Sequence, residues 1–199
     1  GFYDICDILC PNPARLYRGG EEAIELYQDL TGPGTGKKFW LYQCSGPHKL
    51  LDPITYHRAQ FWHAFSMGAT GSGFWGFADA RNTGSSWDNF KCGHTSYSLI
   101  YVDRYHFATT KQWEAVREGV EDYTYLSMLR SAVEEAGLAD DPAGEAAGAT
   151  ISHWTSRITD WEPGIYQWAD ERDRSAPDTA RREILRELLA IRRTRGERE

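Results

Sequence analysis

Residues 38–77 read KFWLYQCSGPHKLLDPITYHRAQFWHAFSMGATGSGFWGF. Two β-prone apolar runs bracket this stretch, Phe39-Trp40-Leu41-Tyr42 and Gly73-Phe74-Trp75-Gly76-Phe77. Ser45-Gly46-Pro47 closes the first run, and Asp52-Pro53 supplies an N-cap followed by a first-turn proline. The helix after it carries Ala59, Trp62, Phe65 and Ala69, and Gly68 and Gly71 terminate it. The pattern is strand, loop, helix, strand.

The same pattern extends upstream. Tyr3 to Leu9 is apolar and predicts a strand, stopped by a Pro11-Asn12-Pro13 loop. Ala23, Ile24, Tyr27 and Leu30 predict a helix over Glu21 to Leu30, closed by Gly32-Pro33-Gly34. Strands alternating with helices imply an α/β fold with a parallel sheet. Three strands cannot cover themselves, which fits a missing N-terminal half.

Downstream, Asp79 to Phe107 predicts a long aromatic loop, functional or carrying a small hairpin. Lys111 to Ala136 predicts a long helix with Trp113, Val116, Val120, Tyr123, Leu126 and Leu129 as its apolar stripe. Gly137 ends it. Residues 1–137 are therefore assigned to the β/α portion and 138–199 to a helical extension packed on it. Within the extension, Ala139 to Gly148 reads as a surface loop and Thr150 to Trp161 as a helix. Ser175-x-x-Asp178 reads as a capping box opening a last helix with Ile184, Leu185, Leu188, Leu189 and Ile191 on its stripe.

Composition narrows the partners. A net charge of −7 argues against a phosphate backbone, so no nucleic acid is expected. Arg192, Arg193, Arg195 and Arg198 read as a basic helix end complementing the helix dipole. No apolar run is long enough to predict a membrane span. Cys6 and Cys10 lack zinc spacing and read as buried thiols, while Cys44–Cys92 pairing stays open. No metal or cofactor is implied.

Chemistry in such sheets gathers at the C-terminal ends of the strands. Side-chain alternation puts Trp40, Tyr42 and Cys44 on one face, and Trp75, Phe77 and Asp79 on another. Tyr42 and Asp79 then lie near the mouth, with Trp75 deeper and Trp87 on the following loop. Flat rings with a few polar groups suit a sugar. The competing reading of each ring is simple packing; Trp40 reads as a packing residue and Trp75 as a site residue. Glycoside hydrolysis needs two flanking carboxylates. Asp79, Asp88 and Asp103 each stand alone, and Glu121-Asp122 and Asp170-Glu171 read as solvated or structural. Glu118 and Asp122 are like charges one turn apart, which calls for a distant cation, and Arg58 is a candidate for it.

These residues also occur as an ordered series. Phe39-Trp40-Leu41-Tyr42-Gln43-Cys44, Arg58-x-x-x-Trp62, Gly73-Phe74-Trp75, and Trp113-Glu114-Ala115-x-Arg117-Glu118-Gly119-x-Glu121-Asp122-Tyr123-x-Tyr125-Leu126 follow one another. The series resembles the C-terminal part of the DUF4091 domain, related to the glycoside hydrolase family 123 catalytic domain, over roughly Tyr3 to Leu129. The resemblance implies that residues 1–137 are the C-terminal portion of a (β/α)8 barrel whose N-terminal half precedes Gly1, with a carbohydrate substrate and a secreted or periplasmic setting. It implies a β-N-acetylgalactosaminidase that works by substrate-assisted retention, with an Asp-Glu pair after a mid-barrel strand. No strand-end Asp-Glu pair occurs here, so the pair is expected upstream of Gly1. Tyr42 and Trp75 carry over by motif as pocket wall and Trp87 more loosely; Asp79 joins the candidate sugar contacts from its strand-end position alone. The alternatives are a non-catalytic carbohydrate-binding module and a structural barrel-derived domain.

Overall fold

The structure, a computed structural model, describes residues 2–43, 52–78, 84–87, 99–138, 141–159 and 173–196. It is an α/β fold. Strands β1 (Ile8–Leu9), β2 (Lys38–Gln43) and β3 (Gly71–Phe74) form a parallel sheet in sequence order. Helix α1 (Pro13–Leu30) joins β1 to β2, and α2 (Ala59–Ser66) follows β2. A hairpin, β4 (Tyr101–Val102) with β5 (Phe107–Ala108), precedes α3 (Lys111–Glu135); α4 (Pro142–Thr159) and α5 (Ala176–Gly196) complete the chain.

The first strand is shorter than expected. Phe2–Ile5 forms a 3-10 turn, and only Ile8 and Leu9 pair with β2. The Lys37 ammonium explains the curl, because it donates to the carbonyls of Tyr3, Asp4 and Cys6 at 2.8, 3.3 and 2.7 Å. Helix α1 starts eight residues before the expected Glu21. Asn12 Oδ1 accepts from the Ala14 N–H at 2.9 Å and Pro13 opens the first turn, so the Asn-Pro pair starts a helix where a loop was expected. Gly20, at φ 71°, kinks it. The same device moves the start of α4: Asp141 Oδ1 accepts from Ala143 N–H at 3.0 Å ahead of Pro142, and the expected surface loop is helix. Ser175 does not close a capping box, because Asp178 reaches Arg58 instead. The cysteines also differ from expectation: Cys6 is half-buried and Cys10 exposed. Cys44 and Cys92 lie outside the described residues.

Alternation along β2 sorts the sheet into two faces. Phe39 and Leu41 are buried against Leu16 and Tyr17 of α1, Ala64 of α2, and Met67. Both helices thus cover the same face, and Trp40 and Tyr42 look away from them. A larger core joins Trp62, Leu126, Leu129, Leu138, Trp154 and Ile184, so one apolar mass continues from α2 and α3 across Gly137 into α4 and α5.

Helix α3 is rotated from its predicted stripe. The buried positions are Gln112, Ala115, Gly119, Asp122, Leu126 and Leu129, whereas Val120 is exposed. Two features turn it. Gly119 meets the preceding helical turn so closely that a Cβ there would lie 2.4 Å from Phe61 Cδ2 and 2.9 Å from the Arg58 carbonyl oxygen. Asp122 then faces the core, where Arg58 receives it. Arg58 is 1% exposed and donates from Nε to Asp122 Oδ2 at 2.7 Å and from Nη2 to Oδ1 at 3.2 Å. Its Nη1 reaches Glu118 at 2.9 Å and Asp178 of α5 at 2.8 Å. Trp62 Nε1 and Arg181 Nη2 also donate to Asp122, at 3.0 and 2.7 Å. Burial pulls the Arg58 pKa down, but the hydrogen bonds and charges of Asp122 and Asp178 outweigh it and leave the guanidinium more basic than usual.

Two alanine substitutions separate close approach from helix propensity. Gly119→Ala is expected to lower unfolding free energy by about 1–3 kcal/mol through overpacking. Gly148→Ala, exposed in α4 with nothing within 4 Å of the new methyl, is expected to raise it by about 1 kcal/mol. Urea denaturation of both variants checks the pair, and equal signs would contradict the packing described.

Candidate functional site

The three strands are parallel, so their C-terminal ends share one edge of the sheet. Tyr42 sits near the end of β2, opposite Gly73 of β3. A Cβ at Gly73 would come within 3.3 Å of the Tyr42 ring, and one at Gly71 within 2.7 Å of the Trp40 indole. Both rings therefore lie across glycines of the neighbouring strand. Trp40 packs there as the sequence suggested, while keeping 38% of its surface exposed.

Strand β3 begins two residues earlier than expected and ends at Phe74. Trp75 is thus at the strand end and not deeper in the sheet. Its N–H donates to the Gln43 carbonyl at 2.7 Å, which continues the ladder and fixes Trp75 beside the end of β2. The Trp75–Gly76 peptide is cis. Trp75 is 57% exposed. Phe77 follows, edge-on to Trp113 at 5.4 Å, and its carbonyl accepts from Leu99 and Ile100 at 3.1 and 3.4 Å. That leads to β4, where Tyr101 stacks on Trp87 with centroids 3.9 Å apart and planes 11° apart. Ser86 Oγ fastens this pair by accepting from Val102 N–H at 2.6 Å. The structure brings Tyr42 and Trp75 to adjacent strand ends and holds Trp87 in a separate aromatic pair beyond Phe77. Asp79 lies outside the described residues.

Polar groups behind this edge escaped the sequence reading. A π-helical turn, Ile54–Arg58, enters α2, with Asp52 Oδ1 accepting from Ile54 N–H at 3.0 Å as the Asp-Pro pair predicts. The turn presents His57 edge-on to Phe74 at 5.8 Å. His57 is 5% exposed, and its Nδ1 has no hydrogen-bond partner among the described residues. Burial lowers its pKa to about 3, so the imidazole is neutral at physiological pH. Gln60 donates to the His57 carbonyl at 3.1 Å and accepts from Ser72 Oγ of β3 at 3.0 Å. Nothing in local periodicity marks His57; only the non-α turn aims it at the strand end.

The strands β1, β2 and β3 carry no carboxylate. Carboxylates nearby are engaged. Asp52 caps the turn and accepts from Arg174 Nε at 2.8 Å. Asp103 closes the hairpin, and the backbone N–H groups of Tyr105 and His106 hold its carboxyl below the usual range. Among the described residues no group of three His, Cys, Asp or Glu is placed to hold a metal ion, and no helix is long and apolar enough to cross a membrane. Comparison with protein-family models, characterised proteins and solved structures finds no match.

His57 gives this edge a pH signature. Unfolding raises its pKa from about 3 to the ordinary 6.5, so the unfolded chain binds the extra proton between those values. Stability from this group is full above pH 6.5 and falls as pH drops toward 3. Between pH 7 and 4 the wild type is expected to lose roughly 3 kcal/mol more than His57→Gln. Denaturant midpoints across that range measure it, and parallel profiles would contradict a buried neutral imidazole.

Proposed function

We propose that this chain forms the sugar-binding wall of a glycosidase-type (β/α)8 barrel, with Tyr42, Trp75, Asp79 and Trp87 as the residues that bind a 2-acetamido sugar. One observation carries the reading: an aromatic edge sits at the C-terminal ends of a parallel sheet whose helices, among the described residues, cover the other face. A doubly wound sheet places helices on both faces. A barrel places them all outside and keeps the remaining face for its interior. Neither β1 nor β3 has a second strand neighbour among the described residues, which suits further strands completing the sheet from the barrel's N-terminal half.

The resemblance to DUF4091 and family 123 domains supplies the chemistry of the proposal: a retaining exo-glycosidase in which the substrate's acetamido group is the nucleophile. Within this chain the residues hold the sugar and do not cleave it. The engaged states of Asp52, Asp103 and Asp122 favour that division. A purely binding role for the whole protein rests on the same observation.

Titration with N-acetylgalactosamine is expected to quench tryptophan fluorescence saturably. Trp75→Ala is expected to weaken binding about tenfold, the loss of one stacking ring. The chain by itself is expected to leave p-nitrophenyl N-acetyl-β-galactosaminide intact. No quenching at high sugar concentration would sink the binding wall, and turnover by the chain would place the catalytic acids within it.

A further inference from the structure

A cavity lies away from that edge. It has a volume of about 490 Å³, within the range of small-molecule sites, and its lining comes from helices and the residue after α2, with no strand residue. Ile24 of α1, Phe65 of α2, Met67 and Ile151 of α4 give it apolar walls. Arg130 of α3 and the hydroxyl residues Tyr17, Ser66, Ser152, Thr155, Ser156 and Thr159 complete the lining.

One buried polar group there is unsatisfied. Thr155 is 8% exposed, and its Oγ1 is buried with no hydrogen-bond partner among the described residues. A buried hydroxyl without a partner carries a desolvation cost that a ligand atom would relieve. Arg130 has no ion-pair partner among the described residues. Its guanidinium carbon lies 4.6 Å from the centroid of Phe65, so the ring positions the cation at the wall. A guanidinium stacked on a ring keeps its in-plane N–H groups for a planar carboxylate.

We infer that this cavity is a ligand site for a small aromatic hydroxy acid. The carboxylate pairs with Arg130 at the exposed end. The ring lies along Ile24, Met67 and Ile151. The hydroxyl meets Thr155 Oγ1 at the buried end. This site is independent of the aromatic strand edge, and neither requires the other.

Three probes separate the contributions by calorimetry on the full chain: 4-hydroxyphenylacetate, phenylacetate and p-cresol. The expected order of affinity places 4-hydroxyphenylacetate first. Arg130→Gln is expected to weaken both acids about tenfold and leave p-cresol unchanged. Thr155→Val, which keeps the shape, is expected to weaken 4-hydroxyphenylacetate about three- to tenfold and leave phenylacetate unchanged. Unaltered p-cresol binding shows that the cavity survives the Arg130 substitution, and unaltered phenylacetate binding shows the same for Thr155. Absence of saturable binding by 4-hydroxyphenylacetate overturns the site. So does acid binding that ignores Arg130→Gln, or a Thr155→Val loss that is equal for both acids.

Discussion

A guanidinium buried to 1% exposure must find its counter-charges within the core, and the helical half of this protein is arranged around that requirement. Arg58 enters from the π-helical turn before α2. Its carboxylates come from two other helices, Glu118 and Asp122 on α3 and Asp178 on α5. Such a pair adds little net stability over a well-packed apolar core. Its effect is selective. Any rotation of α3 that removed Asp122 would strand a buried cation, at a cost of about 3–5 kcal/mol. Gly119 works toward the same end, since only a residue without a side chain allows α3 to approach Phe61 and the Arg58 backbone.

That placement reaches the sheet. With α2 pinned to α3, Ala64 and Met67 meet Phe39 and Leu41, and the helices occupy one face of β2. Tyr123 of α3 extends the tie by donating to the Ala69 carbonyl at 3.0 Å, just before β3. Trp40 and Tyr42 are left on the opposite face, and the ladder bond from Trp75 N–H to Gln43 sets Trp75 beside them. The aromatic edge is thus a consequence of how the helices are anchored. The same anchoring brings Phe65, Arg130 and Thr155 together around a cavity that no single element forms.

Much of the parallel β/α unit is readable from local pattern. The apolar run at Phe39–Tyr42 and the Asp52-Pro53 start need only nearby residues. The Arg58 partner of Asp122 is legible too, because like charges at Glu118 and Asp122 call for a cation. What fails are inferences that treat a charge or a glycine as outward-facing. The α3 stripe is misjudged because Asp122 and Gly119 occupy core positions where apolar periodicity looks for large side chains. Starts at Asn12-Pro13 and Asp141-Pro142 are missed because Pro reads as a breaker when it also suits a first turn. The face of Tyr42 follows from strand alternation, whereas the strand-end place of Trp75 depends on where β3 starts, and the settings of His57 and Thr155 depend on packing between elements distant in sequence.

A double-mutant cycle on Arg58→Met and Asp122→Leu, read by urea unfolding, tests the anchoring most directly. Each single substitution strands a buried charge or its partners, and the pair together removes both. The predicted coupling energy is about 3 kcal/mol or more, within the range for residues that share one buried network. Losses that add to within about 0.5 kcal/mol would contradict it and would mean that α2 and α3 are held by apolar packing alone.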